Sequence, residues 1–342
     1  MNKKELIEKT LKHEHTGVIP VSPLLCGITR KITGVSYPVW STDAGECAKA
    51  FVKGARDFDL DCLTVLVDLS IECDAWGQRV VFPENEAAHP DYSHRLIKDV
   101  DKYSKIAEVD YKTSKRMNFY IDTLKLIVAE IGSEIPVFAF VFGPLGVLSM
   151  CRGQQEMFMD MYDCPDRVYT ACGEITKTLA EYTKAVCDTG VDGVMLDTLY
   201  ASGSIMSKEM WKNAEGEYSR ILADTIRQKG KKVLIHNCGQ KIYFDAQIEF
   251  MKPDAVSFLY PPDDCKDFAE CRAKYGDRVT LIGCVPPTKA VYGSDEEWES
   301  LCKEHIYQMG DTGFILATGC EYPANADFGR AVKMIEIARR KI

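Results

Sequence analysis

Short runs of apolar residues recur along the chain, and each is followed by a longer stretch with apolar residues at helical spacing. Runs that are apolar throughout, rather than in alternation, are typical of parallel strands covered on both faces. The runs predict strands at 17–25, 62–68, 135–142, 193–197, 233–235, 255–260, 280–285 and 314–317. The first of these is imperfect, because Pro20 and Pro23 each remove a backbone donor.

This alternation predicts an α/β fold, a single (β/α)8 TIM barrel over residues 1–342. A doubly wound open sheet is the alternative, but no strand is followed by the G-x-G-x-x-G turn of a dinucleotide-binding domain. Residues 1–16 are expected to form an N-terminal helical extension. The polar, weakly periodic stretch 84–114 is expected to be a long insertion after the second strand.

Composition narrows the possible partners. The 42 basic and 51 acidic side chains give a net charge of −9, which argues against nucleic acid or an anionic membrane as the main partner. No apolar segment follows the first lysines, and no window approaches 18 uninterrupted apolar residues, so we predict a cytoplasmic protein. There, most of the 14 cysteines are expected to be small buried hydrophobes, and so many thiols favour an anaerobic source.

A histidine and a cysteine stand two residues apart where one predicted strand ends. Residues i and i+2 of a strand point to the same side, so His236 and Cys238 face one way. Imidazole and thiolate favour zinc, but a third ligand is needed, and Cys320 ends another buried run. Three ligands would leave the open position of a catalytic zinc. A chance His-x-Cys pair in a cysteine-rich chain is the alternative.

Other polar residues also follow predicted strands, and barrel enzymes place their active sites at the carboxyl ends of the strands. We predict Asp197 and Glu72 as catalytic residues that position the substrate or take a proton. Asp68, Tyr260 and Glu321 are predicted to bind substrate. A purely structural Asp68, bonded to loop amides, is an equal alternative, and Glu321 is also placed to support or complete the metal site.

Five segments of the chain carry a resemblance to a known family. They are Asp68-Leu-Ser-Ile-Glu-Cys-Asp-Ala-Trp-Gly77, Phe142-Gly-Pro-Leu-Gly-Val-Leu-Ser149, Gly190-Val-Asp-Gly-Val-Met-Leu-Asp197, His236-Asn-Cys-Gly239 and Thr318-Gly-Cys-Glu-Tyr-Pro323. Over nearly its whole length the chain resembles the uroporphyrinogen decarboxylase superfamily. Within it, the chain is similar to the zinc-dependent cobamide methyltransferases, such as methylcobalamin:coenzyme M methyltransferases and those of corrinoid-dependent demethylation.

The resemblance implies a zinc enzyme whose ligands are His236, Cys238 and Cys320. It also implies transfer of a methyl group between a cobamide and a small thiol or an O- or N-methylated compound, in either direction. The chain has no Asp-x-His-x-x-Gly segment of the kind that corrinoid carriers use to bind cobalt. The cobamide is therefore expected to bind transiently and to belong to a partner corrinoid protein.

Two other functions stay open. A uroporphyrinogen decarboxylase is expected to carry Arg-Gln-Ala-Gly-Arg near its first strand, whereas residues 23–31 read Pro-Leu-Leu-Cys-Gly-Ile-Thr-Arg-Lys. Arg30 and Lys31 are few cations for a multiply carboxylated substrate, which places decarboxylation second. The third possibility is a non-catalytic corrinoid-binding or metal-binding module.

Overall fold

The computed structural model describes residues 1–340, and within them seven parallel strands form one curled sheet in the order β1-β4-β5-β6-β7-β8-β9. Two further strands, β2 and β3, pair separately and antiparallel. The strands are β1 (Leu63–Val65), β2 (Val80–Val81), β3 (His89–Pro90), β4 (Val137–Phe142), β5 (Gly193–Asp197), β6 (Lys232–Asn237), β7 (Ala255–Phe258), β8 (Thr280–Val285) and β9 (Phe314–Thr318). The predicted α/β class is confirmed.

The predicted first strand is not a regular strand, although it lies where an eighth strand would stand. Val21 forms an isolated parallel bridge with Leu316 of β9, and its carbonyl accepts from the Asp61 amide just before β1 at 3.1 Å. The segment thus connects the two edges of the curled sheet. Pro20 and Pro23 have no amide hydrogen to donate, which explains why the hydrogen bonding stays interrupted.

Helices cover the outside of the sheet. They are α1 (Lys3–Leu11), α2 (Thr29–Thr33), α3 (Tyr37–Trp40), α4 (Ala44–Asp57), α5 (Lys115–Ile131), α6 (Pro144–Arg152), α7 (Gln154–Asp163), α8 (Pro165–Asp188), α9 (Lys208–Trp211), α10 (Glu217–Gln228), α11 (Phe244–Met251), α12 (Phe268–Tyr275), α13 (Lys289–Tyr292), α14 (Asp295–Met309) and α15 (Phe328–Arg339). None of the helices in residues 1–340 combines the length and apolarity needed to cross a bilayer.

Two helical features are unusual. Pro144 begins α6 directly after β4, since its ring presets the backbone angle of a first helical turn. A π-helical turn, Lys212–Gly216, lies between α9 and α10. Both features lie beside the carboxyl ends of β4 and β5.

An apolar interior separates the two ends of the barrel. At the amino ends of the strands, α1 approaches β8, where the Thr280 hydroxyl donates to the Thr10 carbonyl at 3.2 Å. The barrel interior is filled by apolar side chains, which include Phe138, Met195, Leu234, Ile282 and Ile315. At the carboxyl ends of β5 and β6, Asp197, His236 and Asn237 are buried polar residues.

Candidate metal centre

Three potential metal ligands meet at the carboxyl ends of β6 and β9. One donor atom from each of His236, Cys238 and Cys320 lies within 4.8 Å of the other two. We call these residues the His/Cys cluster. His236 is 3% exposed and the two cysteines are partly buried. One imidazole and two thiols are a donor set that suits zinc, so the residues present fit the predicted metal.

The turn after β6 fixes the position of Cys238. The Asn237 side chain donates to the Thr198 carbonyl at 2.7 Å and accepts from the Gly239 amide at 2.9 Å. A Cβ at Gly239 would lie 2.9 Å from Ser202 Oγ, which leaves no room for a larger residue. The local sequence Asn-Cys-Gly therefore sets the direction in which the thiol points.

Close contact between two strand ends places Cys320. A Cβ at Gly319 would lie 2.6 Å from the Leu259 Cα, closer than real Cβ contacts allow. Glycine at this position lets the end of β9 approach the chain that leaves β7. Cys320 follows directly and so comes within reach of the ligands on β6, even though β7 and β8 lie between the two strands.

Ser257 orients the histidine. It lies opposite His236 in the register of β6 and β7, and its hydroxyl is 3.0 Å from His236 Nδ1. This hydrogen bond occupies one ring nitrogen, so Nε2 is the nitrogen available to a metal. The Phe140 ring, with its centroid 6.0 Å from that of the imidazole, packs beside it.

The two thiols interact with each other. A hydrogen bond from Cys238 is the largest effect that lowers the pKa of Cys320, which is further lowered by the His236 imidazole, while burial opposes both. The same hydrogen bond raises the pKa of Cys238. One thiol of the pair therefore ionises more easily than an isolated cysteine. Binding of a metal would release the remaining proton as well.

Asp197 ends β5 directly beside the cluster. It lies opposite His236 in the strand register and is 5% exposed. Burial raises its pKa to about 7, which the His236 imidazole partly offsets. Its Oδ1 atom is buried and has no hydrogen-bond partner among residues 1–340. A buried acceptor without a partner costs free energy, so this oxygen is suited to receive a donor from a bound molecule.

Glu72 and Asp68 hold the structure around the site. Glu72 Oε1 accepts from the Phe142 amide at 3.2 Å. Asp68 is already bound by Arg116, with nitrogen–oxygen distances of 2.7 and 3.1 Å, and also accepts from Ser70. Both carboxyl groups are buried. For Asp68, these contacts favour the structural alternative over direct substrate binding.

Glu72→Gln is expected to flatten the pH dependence of folding stability between about pH 4.5 and pH 8. Burial raises the pKa of Glu72 from 4.5 to about 8, so in this range the folded protein keeps a proton that the unfolded chain has lost. The free energy of unfolding therefore falls as pH rises, by at most about 1.4 kcal/mol per pH unit. Glutamine still accepts from Phe142 but does not titrate.

Urea unfolding of both proteins across this pH range measures the difference. The other buried carboxyl groups are the same in the two proteins, so subtracting the two profiles isolates Glu72. Parallel profiles would contradict the prediction.

Tyr260 and Glu321, the other two residues predicted to bind substrate, differ in their surroundings. Tyr260, two residues after β7, is 40% exposed and stands at the rim. Glu321 follows Cys320 and lies beside the Cys26 thiol. Burial raises the pKa of Glu321, which its hydrogen bond with Cys26 partly offsets. Glu321 is thus the direct neighbour of Cys320, whereas Tyr260 is partly open to solvent. Their roles in substrate binding stay predictions.

Sequence reasoning missed Glu215, which lies in the π-helical turn and is 1% exposed. Burial raises its pKa to about 7, while hydrogen bonds from Trp211 and Leu145 lower it. The sequence did contain a signal for Glu215, because a residue four positions after Trp211 lies on the same face of a helix as that apolar side chain. Arg116 gave no such signal, since its partner lies 48 residues away in sequence.

Comparison with known proteins places the chain in a family. A family model described as uroporphyrinogen decarboxylase (URO-D) matches residues 2–341. Methylcobamide:CoM methyltransferase MtbA of Methanosarcina mazei is 20% identical over 309 residues, which cover 90% of this chain and 88% of that protein. Uroporphyrinogen decarboxylase of Vesicomyosocius okutanii is 21% identical over 280 residues, covering 77% and 74%.

Solved structures share the fold. A methyltransferase from Methanosarcina mazei superposes with a TM-score of 0.80 at 16% identity, covering 99% of this chain and 98% of that one. A B12-independent methionine synthase from Shewanella reaches a TM-score of 0.57 at 12% identity, covering 94% and 98%. At these identities the likeness concerns the fold alone.

Proposed function

The chain belongs to the uroporphyrinogen decarboxylase (URO-D) family, and from this premise we propose that it is a corrinoid-dependent methyltransferase. It moves a methyl group between a cobamide and a small-molecule thiol or an O- or N-methylated compound. The observation that carries the proposal is the His/Cys cluster, whose donor atoms lie within 4.8 Å of one another at the carboxyl ends of the strands. Similarity to methylcobamide:CoM methyltransferases supports the same reaction class.

In this proposal His236, Cys238 and Cys320 hold one zinc ion. When bound, zinc supplies a Lewis acid that favours a thiolate or polarises a methylated donor near neutral pH. The protein contributes orientation. Ser257 holds the imidazole through Nδ1, and the buried Asp197 Oδ1 accepts a hydrogen bond from the substrate or holds a proton.

Ser257→Ala is expected to weaken zinc binding about 10- to 100-fold, the usual cost of losing the partner that orients a ligand histidine. Competition for zinc with a coloured chelator measures the change. Ser219→Ala is the matched control, because Ser219 is equally buried and its hydroxyl has no partner in the described part of the chain. Equal zinc affinity of the two variants would show that Ser257 does not orient a ligand.

Decarboxylation of a tetrapyrrole is less well supported. Its carboxylates require several available arginines. Arg30 lies with its guanidinium carbon 3.9 Å from the centroid of the Tyr37 ring. Arg116 and Arg152 are each paired with a buried aspartate at 2.7 Å. These three arginines are therefore committed to internal contacts.

We further propose that the cobamide belongs to a partner corrinoid protein, that it binds only during transfer, and that the enzyme acts in the cytoplasm. The lack of an Asp-x-His-x-x-Gly segment supports transient binding. Purified protein is accordingly expected to be colourless. A protein that retains a red corrinoid through purification would favour the binding-module alternative.

The test of the reaction uses the zinc-loaded protein with free methylcobalamin and a panel of thiols. In the reverse direction, it uses cob(I)alamin with methyl ethers and methylamines. Cobalamin absorbance reports transfer in both assays, and we expect turnover with at least one compound. Absence of transfer in both directions, with conversion of uroporphyrinogen instead, would establish the decarboxylase alternative.

A further inference from the structure

The turn between β4 and α6 is held from three sides by acidic residues. Each of its backbone donors has a partner, and Pro144 has no donor to satisfy. The pairs are Phe142 N to Glu72 Oε1 at 3.2 Å, Gly143 N to the Asp197 carbonyl at 2.9 Å, and Leu145 N to Glu215 Oε1 at 3.2 Å. Gly143, which binds the Asp197 carbonyl, thus lies between two turn residues that each bind a glutamate: Phe142 binds Glu72, and Leu145 binds Glu215.

Glu215 is itself fixed by its surroundings. Its second oxygen, Oε2, accepts from the Trp211 indole at 2.9 Å. Glu215 lies in the π-helical turn, and Trp211 is the last residue of α9, directly before that turn. Such a distortion of a helix is found mostly at functional sites. The carboxylate is directed at the amino terminus of α6, where unpaired amides and the helix dipole favour negative charge.

Gly143 links Glu215 to Asp197 by contact. A Cβ at this glycine would lie 2.6 Å from Glu215 Oε1 and 2.7 Å from the Asp197 carbonyl oxygen. The two acidic residues therefore approach the same backbone atom from different sides. Glu215 thus lies against Gly143, whose amide donates the hydrogen bond that holds the Asp197 carbonyl at the end of β5.

We propose that Glu215 is a positioning residue, which holds Asp197 in place through the β4–α6 turn. The role of Asp197 in catalysis rests on the proposed function. That Glu215 holds Asp197 in place is independent of that function. Reactive groups need to be held within about 0.5 Å of their productive position, so a small displacement at Gly143 is enough to reduce turnover.

A double-mutant cycle tests whether Glu215 acts through Asp197. Glu215→Gln is expected to lower kcat about tenfold in the otherwise native protein and less than about twofold when Asp197→Asn is already present. Zinc content should stay unchanged in both. An equal loss in the two backgrounds would show that Glu215 has only a general structural role and would overturn the proposal.

Asp61→Asn is the matched control for the cycle. Asp61 is also a buried carboxylate that accepts a backbone amide, from Val21 at 2.7 Å, but it lies at the amino end of β1. Its loss is expected to have the same small effect on kcat with and without Asp197→Asn. If Glu215→Gln does not fold, Gly143→Ala serves instead, because its methyl group displaces the same turn.

Hydrogen exchange separates failure of this inference from failure of the proposed function, since it needs no substrate. Glu215→Gln is expected to speed exchange in the peptide covering 142–149, whereas Asp61→Asn leaves that peptide unchanged. If the native protein transfers no methyl group, the proposed function fails, and exchange alone decides the positioning. Unchanged protection of the turn in Glu215→Gln would refute it.

Discussion

Cys320→Ala is expected to abolish stoichiometric zinc binding and to lower methyl transfer more than about 100-fold. Loss of a residue that merely orients a ligand already costs about 10- to 100-fold in metal affinity or activity, so loss of a ligand costs more. The remaining His236 and Cys238 are two donors, and two donors do not hold zinc tightly in water. Cys238→Ala is expected to behave in the same way, because either substitution breaks the same set of three.

Metal analysis of the purified proteins, together with the methylcobalamin assay, measures both effects. Cys284→Ala is the control, since Cys284 also lies near the carboxyl end of a strand but is fully buried and outside the His/Cys cluster. It should retain zinc and turnover. Native protein without zinc, or zinc retained by both cluster variants, would mean that the cluster is not a metal site. The decarboxylase alternative would then be the better explanation.

Strand positions could be predicted well where the sequence marks both ends of a run. The structure has β5 and β8 at the predicted residues, because each apolar run has clear polar or turn-forming boundaries. The run at 17–25 is equally apolar but is not a regular strand. Its two prolines lack the amide hydrogens that a regular strand needs, and the apolar character of a run does not reveal this.

Local pattern could not reveal what depends on contacts between distant residues. The ion pair of Asp68 with Arg116 and the bond from Leu145 to Glu215 join residues 48 and 70 positions apart. The sequence indicates where β4 ends, but it does not indicate that α6 begins at once or which side chain caps it. Such features follow from how the barrel brings β4, β5 and the π-turn together.

The candidate site falls between these two cases. The rule that the carboxyl ends of parallel strands share one face made His236, Cys238 and Cys320 candidates, and the family resemblance implied the same three residues. The structure brings their donor atoms together. Their role as zinc ligands stays a prediction. Ser257 could be identified only from the register of β6 and β7, because nothing in its own sequence neighbourhood distinguishes it.

Asp197→Asn is expected to lower kcat for methyl transfer about 100-fold while leaving zinc content unchanged. Asparagine has the same size, so the end of β5 and its carbonyl bond to Gly143 should persist. The amide cannot hold a proton or carry charge, and groups that assist proton movement contribute about 100- to 10,000-fold to a rate. We assign the role in proton movement to Asp197 because its Oδ1 atom lies beside the His/Cys cluster without a hydrogen-bond partner among residues 1–340.

Asp192→Asn is the control at the opposite end of β5. Asp192 precedes β5 at its amino end, where its carboxylate accepts from the Val137 amide at 2.9 Å, so its loss should affect stability but not kcat. An Asp197→Asn enzyme with native kcat would remove Asp197 from the mechanism. Loss of zinc from that variant would instead mean that Asp197 acts on the metal ligands. If Asp197 only orients the substrate, the metal site remains intact without its carboxylate.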